Sequence, residues 1–466
     1  MTSADPPRST PADPADPAAE QPPAVRNEQV LSRQLSSVQQ TMMAIGGAIG
    51  TGLFLLSGLA VGVAGPAIIV SYVLMAGLSL LLARGLSQMA VAHPTAGAFG
   101  VHADLYVSPF AGYAVRVSYW AMEVIATGGH LVAASIYMGF WFPDVPGPVW
   151  GFAFAVVMLY VNSRAVGRLG VIEYWLAMIK VVAIVLFIGI ALLFVLGATG
   201  APAIGARNLV AGGFAPFGAQ GIWLGCCFAL YSFIGIEIVG VTSGEAADPG
   251  RTIPRATRRL VLGLSAIYII PIVLLTAVIP WQQLGVDRSP FVTALAGAGI
   301  PAAAGVMNFV VLSAALSSAN ANLYLISRTL FSLSRAGYVP RALGAVNRRN
   351  TPVNALLASG IGLAASVLVD VVWHRTAYQI LVGVSLFGAL FVWLMIFVTH
   401  IAFRRADHRT SGRPARALGS YLGAAVLFAI LISTRWVPGL ESTLIAGGPW
   451  LALLVIGYLA TRRART

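Results

Sequence analysis

Residues 46–52 read Gly-Gly-Ala-Ile-Gly-Thr-Gly, in the middle of an apolar window that runs from about 40 to 62. Each of these glycines costs a helix about 1 kcal/mol relative to alanine and leaves the backbone free to unwind. Unwound backbone inside an apolar run is tolerated only where it is buried in protein or lines a polar cavity. The stretch therefore predicts an interrupted helix around an internal site. It does not read as a nucleotide loop, since no strand precedes it and no P-loop lysine follows. A second segment behaves alike: Ser232-Phe233-Ile234-Gly235-Ile236-Glu237 sets a glycine beside a carboxylate inside an apolar window over about 217–241.

Outward from these two segments the whole chain is apolar. Of 466 residues 58% are hydrophobic and only 10% charged, against about 25% charged in a soluble domain. That balance excludes an ordinary soluble enzyme, a disordered scaffold and a disulfide-rich secreted domain. Twelve windows are long enough to cross a hydrocarbon core of about 30 Å as helices. They fall near 40–62, 66–90, 110–140, 147–163, 172–197, 217–241, 259–281, 301–330, 353–372, 378–402, 420–436 and 446–461. The third and eighth are longer than a straight crossing needs, which predicts tilt. The runs lack the alternation of a β-barrel. The fold class is an all-α polytopic membrane protein with about 12 transmembrane helices. If the first ten spans form two inverted halves of five, the first and sixth correspond, and paired glycine-interrupted spans point to a transporter's midplane site.

The basic residues give the orientation. With the N-terminus inside, 22 of the arginines fall in cytoplasmic segments and 4 in the opposite loops, so both termini are expected in the cytoplasm of a plasma-membrane protein. The net charge of +13 then reflects topology and lipid phosphates, with no nucleic-acid partner implied. Residues 1–35, rich in Pro, Asp and Ala, are expected to form a disordered cytoplasmic tail, and no apolar h-region marks them as a cleaved signal. Cys226 and Cys227 are adjacent and inside an apolar run, which leaves no disulfide framework and no cysteine-based metal site. No nucleophile–base cluster or cofactor motif is evident, so the expectation is no enzyme, no cofactor and no metal.

Few ionisable residues lie inside spans. Lys180 is the sole lysine against 28 arginines, and its place in the fifth span suggests a site that wants a compact ammonium able to lose its proton. Snorkelling to the interface is the plain alternative. Glu237, at the end of the sixth-span break, is a functional candidate by its depth. Glu123 and His130 lie seven residues apart in the third span, on roughly one helix face. Glycine also serves as a close-packing residue in membrane helices, and Gly46 with Gly50 fits that pattern.

Gly46–Phe54 (GGAIGTGLF), Ala64–Pro66 (AGP), Pro94–Ala98 (PTAGA), Ile136–Pro146 (IYMGFWFPDVP), Tyr231–Glu237 (YSFIGIE), Gly244–Arg255 (GEAADPGRTIPR) and Ser327–Gly337 (SRTLFSLSRAG) together resemble the bacterial amino acid permeases of the amino acid–polyamine–organocation superfamily. The resemblance runs from about Leu31 to the last span. It implies a 5+5 inverted repeat with discontinuous helices 1 and 6, plus two C-terminal helices. The membrane domain would cover 36–466, with repeat one about 38–200, repeat two about 215–405 and the extra pair about 418–462. It implies secondary amino acid transport, typically with protons.

Carried over residue by residue, the resemblance implies that the break around Gly50, Thr51 and Gly52 holds the substrate α-carboxylate at a half-helix N-terminus. Carbonyls of Ala48, Tyr231 and Ile234, left without helical partners, would hold the α-ammonium. Tyr231 and Phe233 would form aromatic walls or a gate. Lys180 would brace helix 1 against helix 5 where sodium-coupled relatives hold the ion, and Glu237 would gate or carry the coupled proton. Span 3 departs from the family: Glu123 faces the expected pocket, where an acid is unusual, and His130 stands where relatives often carry Glu. We read Glu123 as a partner for a cationic side chain, favouring arginine, lysine or ornithine. A hydrogen bond to a neighbouring helix is the alternative. The partners are an amino acid, protons and the lipid bilayer, with oligomeric state open. The readings to separate are proton-coupled uptake by alternating access, amino acid/amine exchange and a non-transporting membrane sensor.

Overall fold

The computed structural model describes residues 47–94, 98–164, 166–198, 202–237, 249–285, 288–297, 301–347, 352–411 and 417–463. The tail expected over 1–35, Gly46, the 238–241 end of the sixth window and the 244–248 part of its motif lie outside them. Helices and turns make up the described residues, with no strand among them.

The chain enters through a π-helical turn over Gly52–Leu56 and continues as α1 (Ser57–Ala64), a 3-10 turn at Gly65–Ala67 and α2 (Ile68–Ala92). A short α3 (Ala98–Tyr106) leads to α4 (Pro109–Met138), α5 (Gly147–Arg164) and α6 (Val166–Leu196). Then come α7 (Gly218–Ser232), α8 (Pro249–Val278), the short α9 (Pro290–Gly297), α10 (Pro301–Arg335), α11 (Val353–Val372) and α12 (Ala377–Ser411). The last two are α13 (Leu418–Ser433) and α14 (Glu441–Arg463).

Among the described residues, nine helical segments are long and apolar enough to cross a membrane, so the chain is an all-α polytopic membrane protein. The first of them, Gly52–Ala92, has 41 residues. At 1.5 Å per residue it would span about 60 Å if straight, twice a bilayer core. It is not straight: the turn at Gly65–Ala67 divides it, so it covers the second half of the first expected window and all of the second. Local chemistry sets other boundaries. Ser108 caps α4, its hydroxyl accepting from the Ala111 N–H at 3.1 Å, with Pro109 at the first helical position.

The helices sort into an inner and an outer set. In α4, 83% of the most apolar window is buried, against 17% for the segment of α14. The outer helices turn Phe152, Tyr160, Leu186, Ile361, Phe428 and Ile456 outward. Water would penalise such a belt, whereas lipid tails do not. Inside, the early crossings pack on later ones in a regular way. The π turn and α1 contact α7, α2 packs on α8, α4 on α10, and α5 on α11. Helix α4 lies centrally, packed most extensively on α10 and α12.

Candidate functional site

Both interrupted segments are broken in the structure, and they face each other. In the first, Gly47 and Ala48 are helical, Ile49 and Gly50 form a bend, and the π turn follows Thr51. Single π turns inside helices leave backbone groups off the regular ladder. In the second, α7 ends at Ser232 and residues 233–237 run as turns. Gly235 has φ 106°, a conformation that side-chain-bearing residues rarely adopt. A methyl built on it would also reach within 3.6 Å of Ala48, on the opposite broken segment.

Between the breaks lies a cavity of about 40 Å³, enough for about three water-sized groups. The first break lines it with Gly47, Ala48 and Gly50, and the second with Tyr231, Ile234 and Gly235. Helix α4 contributes Met122, Glu123, Ala126 and His130, while α10 adds Asn322 and α12 adds Ser385. Glu123 is thus the carboxylate on the cavity wall. Ser385 donates to the Tyr231 hydroxyl at 3.3 Å and orients that ring.

The other candidates stand behind this wall. The Thr51 hydroxyl meets His130 Nδ1 at 2.9 Å, and the Thr51 carbonyl accepts from the Tyr378 hydroxyl at 3.2 Å. Gly52 lies against Ser232 and Tyr231, where a methyl would come within 3.3 Å of the Ser232 backbone. Phe233 is away from the cavity. It is fully buried between Tyr72 and Tyr268, with ring centroids 6.4 and 5.3 Å away.

The carbonyls differ from expectation. The Ala48 carbonyl accepts the Tyr268 hydroxyl at 2.8 Å and the Gly50 N–H at 3.0 Å, and the Tyr231 carbonyl accepts the Ile234 N–H at 3.3 Å. Turns and a neighbouring tyrosine take up the acceptors that the breaks release, as buried carbonyls require.

Lys180 is fully buried and does not snorkel. Its ammonium donates to the Ser318 hydroxyl at 3.3 Å, and Ser318 donates to the Ile49 carbonyl at 3.3 Å. The brace between helices runs through a serine of α10. Glu237 is likewise fully buried. Its Oε2 accepts from the Gly235 N–H at 3.0 Å and from the Trp393 indole at 3.2 Å. Its Oε1 has no hydrogen-bond partner among the described residues.

Glu173 corrects a reading by position. As the second residue of the 172–197 window it suggests a span end, where charge is cheap. Helix α6 starts at Val166, however, so Glu173 is two turns in and buried. It accepts from Ser317 and, at 3.5 Å, from the Asn320 amide, and it acts through space on Lys180, two turns further along the same helix. Ser317, Ser318, Asn320 and Asn322 complete these surroundings without being singled out by the sequence motifs. Their signal was available as a run of small polar residues in the eighth window, with Ser318 and Asn322 four apart on one helix face.

Comparison with known proteins agrees with this architecture. The family model for amino acid permeases matches residues 39–465. The uncharacterized amino acid permease YtnA of Bacillus subtilis (strain 168) is 34% identical over 442 residues, covering 93% of this chain and 96% of that protein. The aromatic amino acid transport protein AroP of Escherichia coli (strain K12) is 35% identical over 435 residues, 92% of this chain and 95% of AroP. AroP of Salmonella typhimurium (strain LT2) is 34% identical over 439 residues, 93% and 96%. With broken helices around an inner cavity and a match along nearly its whole length, the chain belongs to the amino acid permease family of membrane transporters.

Proposed function

We propose that the protein takes up amino acids across the plasma membrane by alternating access, coupled to protons, and favours substrates with a cationic side chain. The observation that carries the substrate class is the Glu123 carboxylate on the cavity wall between the two breaks. The substrate carboxylate would lie at the Gly50–Gly52 break, and the ammonium toward the second break at Tyr231 and Ile234. A basic side chain would reach down α4 to Glu123, where a buried ion pair is favourable only with good geometry. Lys180 and Glu237 are the coupling or gating groups in this reading. Twelve crossings in two inverted halves of five, with two further helices and both termini in the cytoplasm, complete it. The pairing of α2 with α8, α4 with α10 and α5 with α11 supports the repeat, and the arginine distribution supports the orientation.

The energetics suffice. One proton moving down about 100 mV supplies about 2.3 kcal/mol, and one pH unit adds about 1.4 kcal/mol. Together they support roughly several-hundredfold accumulation of a zwitterion. A second reading, aromatic substrates, rests on the similarity to the two AroP proteins and on the tyrosine in the cavity wall.

The test is uptake of a radiolabelled amino acid panel into proteoliposomes, with and without an inward proton gradient. Gradient-driven accumulation of arginine, lysine or ornithine is the expected result. Preference for phenylalanine and tyrosine would replace the substrate class. Uptake that ignores the gradient and requires preloaded substrate would make the protein an exchanger.

A further inference from the structure

Thr51 has one hydroxyl proton and lies in the first break, within reach of two acceptors of different kinds. One is the imidazole of His130, whose Nδ1 lies 2.9 Å from Thr51 Oγ1. The other, in the reading above, is the substrate carboxylate. His130 is itself buried, and its ring forms part of the cavity wall. Gly50 makes the approach possible: a methyl there would stand 3.1 Å from the His130 ring carbon Cε1 and 2.9 Å from Ser318 Oγ.

The direction of this hydrogen bond depends on where the imidazole carries its proton. With Nδ1 bare, the Thr51 O–H donates to it, and the hydroxyl offers only lone pairs to anything else. With a proton on Nδ1, the imidazole donates to Oγ1 and the hydroxyl proton is released toward another acceptor.

We propose that His130 is a positioning residue that links proton binding to substrate binding: a proton on its Nδ1 reverses the hydrogen bond to Thr51 and turns that hydroxyl into a donor for the substrate carboxylate. This rests on the reading of the first break as the carboxylate subsite. The balance is simple. A proton from the aqueous side joins neutral imidazole at Nδ1, no bond between heavy atoms changes, and the same proton leaves from Nδ1 when the site opens to the other side.

Burial and the nearby Lys180 ammonium act against a lone imidazolium, so its formation depends on an arriving carboxylate. Helix α6 brings Lys180, which lies across Ser318 and acts on His130 through space. On α4 itself, Glu123 is two turns away and Tyr137 is two turns the other way. Helix α7 presents Tyr231, with Glu237 beyond it, and α12 presents Tyr378. Helix α10 presents the uncharged Ser318 and Asn322 here. On α5 and α11 the charged side chains are Arg164 in the last turn and Asp370, which pairs with His374. An imidazolium beside the Lys180 ammonium is stabilised by an arriving carboxylate, so proton and substrate each favour the other's binding, and by the same factor.

The experiment measures equilibrium binding of the best radiolabelled substrate to the purified full-length protein between about pH 5 and 8. Wild-type affinity should rise about tenfold as pH falls, the size expected of a charge-assisted hydrogen bond gained at the carboxylate. His130→Gln can bond Thr51 in either direction but cannot take a proton, so its affinity should stay constant across this pH range. Thr51→Val should bind weakly and flatly, and Thr51→Ser should restore the slope. A His130→Gln protein with the wild-type pH profile would overturn the proposal. Should that variant fail to fold, the Thr51→Val and Thr51→Ser pair decides: a full slope in Thr51→Val overturns it equally. A wild-type protein with sloping affinity but no gradient-driven uptake would remove proton-coupled uptake and leave the His130 link standing.

Discussion

At the scale of single residues, the cavity mixes charge and close packing in a way that mutation can separate. Glu123 lines the cavity, so its effect should be on which substrate is taken. Glu123→Gln is expected to lower uptake of basic amino acids about tenfold or more relative to neutral ones, read from competition in proteoliposomes. Unchanged selectivity would return Glu123 to a structural role. Among the described residues Lys180 reaches the first break through Ser318, so Lys180→Met removes charge and leaves Ser318 without that donor. We expect gradient-driven uptake to fall about tenfold or more, with Ser318→Ala reproducing part of the loss. Arg at 180 is no conservative rescue, because a planar guanidinium does not fit a site shaped for an ammonium.

At the scale of elements, the breaks depend on backbone shape as much as on side chains. Gly235→Ala places a side chain at φ 106°, at a cost of about 1–3 kcal/mol. The midpoint of thermal unfolding in detergent should drop, together with substrate affinity. Helix α3, which is too short to cross, makes a different prediction. His102 on α3 is buried, and burial, offset by its hydrogen bond to the His93 carbonyl and reinforced by the nearby His93 ring, pushes its imidazole down to about 4. The folded protein therefore holds it neutral where the unfolded chain would protonate it near 6.5. The stability it contributes is full above about pH 6.5 and is lost as pH falls toward about 4. The melting temperature should decline over that window in the wild type and less so in His102→Gln.

These elements also show what the sequence made legible. The apolar windows and the glycine runs led directly to the helices and the two breaks, because bilayer thickness and backbone propensity act locally. The helical period set Glu123 and His130 on one face of their span, and the family resemblance turned that face toward the pocket. The partners could not: Tyr268 on the Ala48 carbonyl and Tyr378 on the Thr51 carbonyl come from residues 220 and 327 positions away. Which acceptors remain open at a break depends on such distant donors. Helix length misled for Glu173, because the helix extends beyond its apolar window toward the N-terminus.

At the scale of the whole molecule, early crossings bury themselves largely against later ones, as α2 does on α8 and α4 on α10. Neither half encloses the cavity, which takes walls from α4, α7, α10 and α12. Co-expression of residues 1–215 and 216–466 as two chains should restore uptake, and either chain alone should give none. That pairing also governs how the protein is made. At about 5–20 residues per second, Thr51 leaves the ribosome roughly 15–65 seconds before Tyr378, its partner 327 residues on. Through that interval the Thr51 carbonyl lacks the donor it has in the folded protein, and lipid offers no water in its place, so mutations of Tyr378 should surface first as turnover of newborn chains rather than as loss of transport.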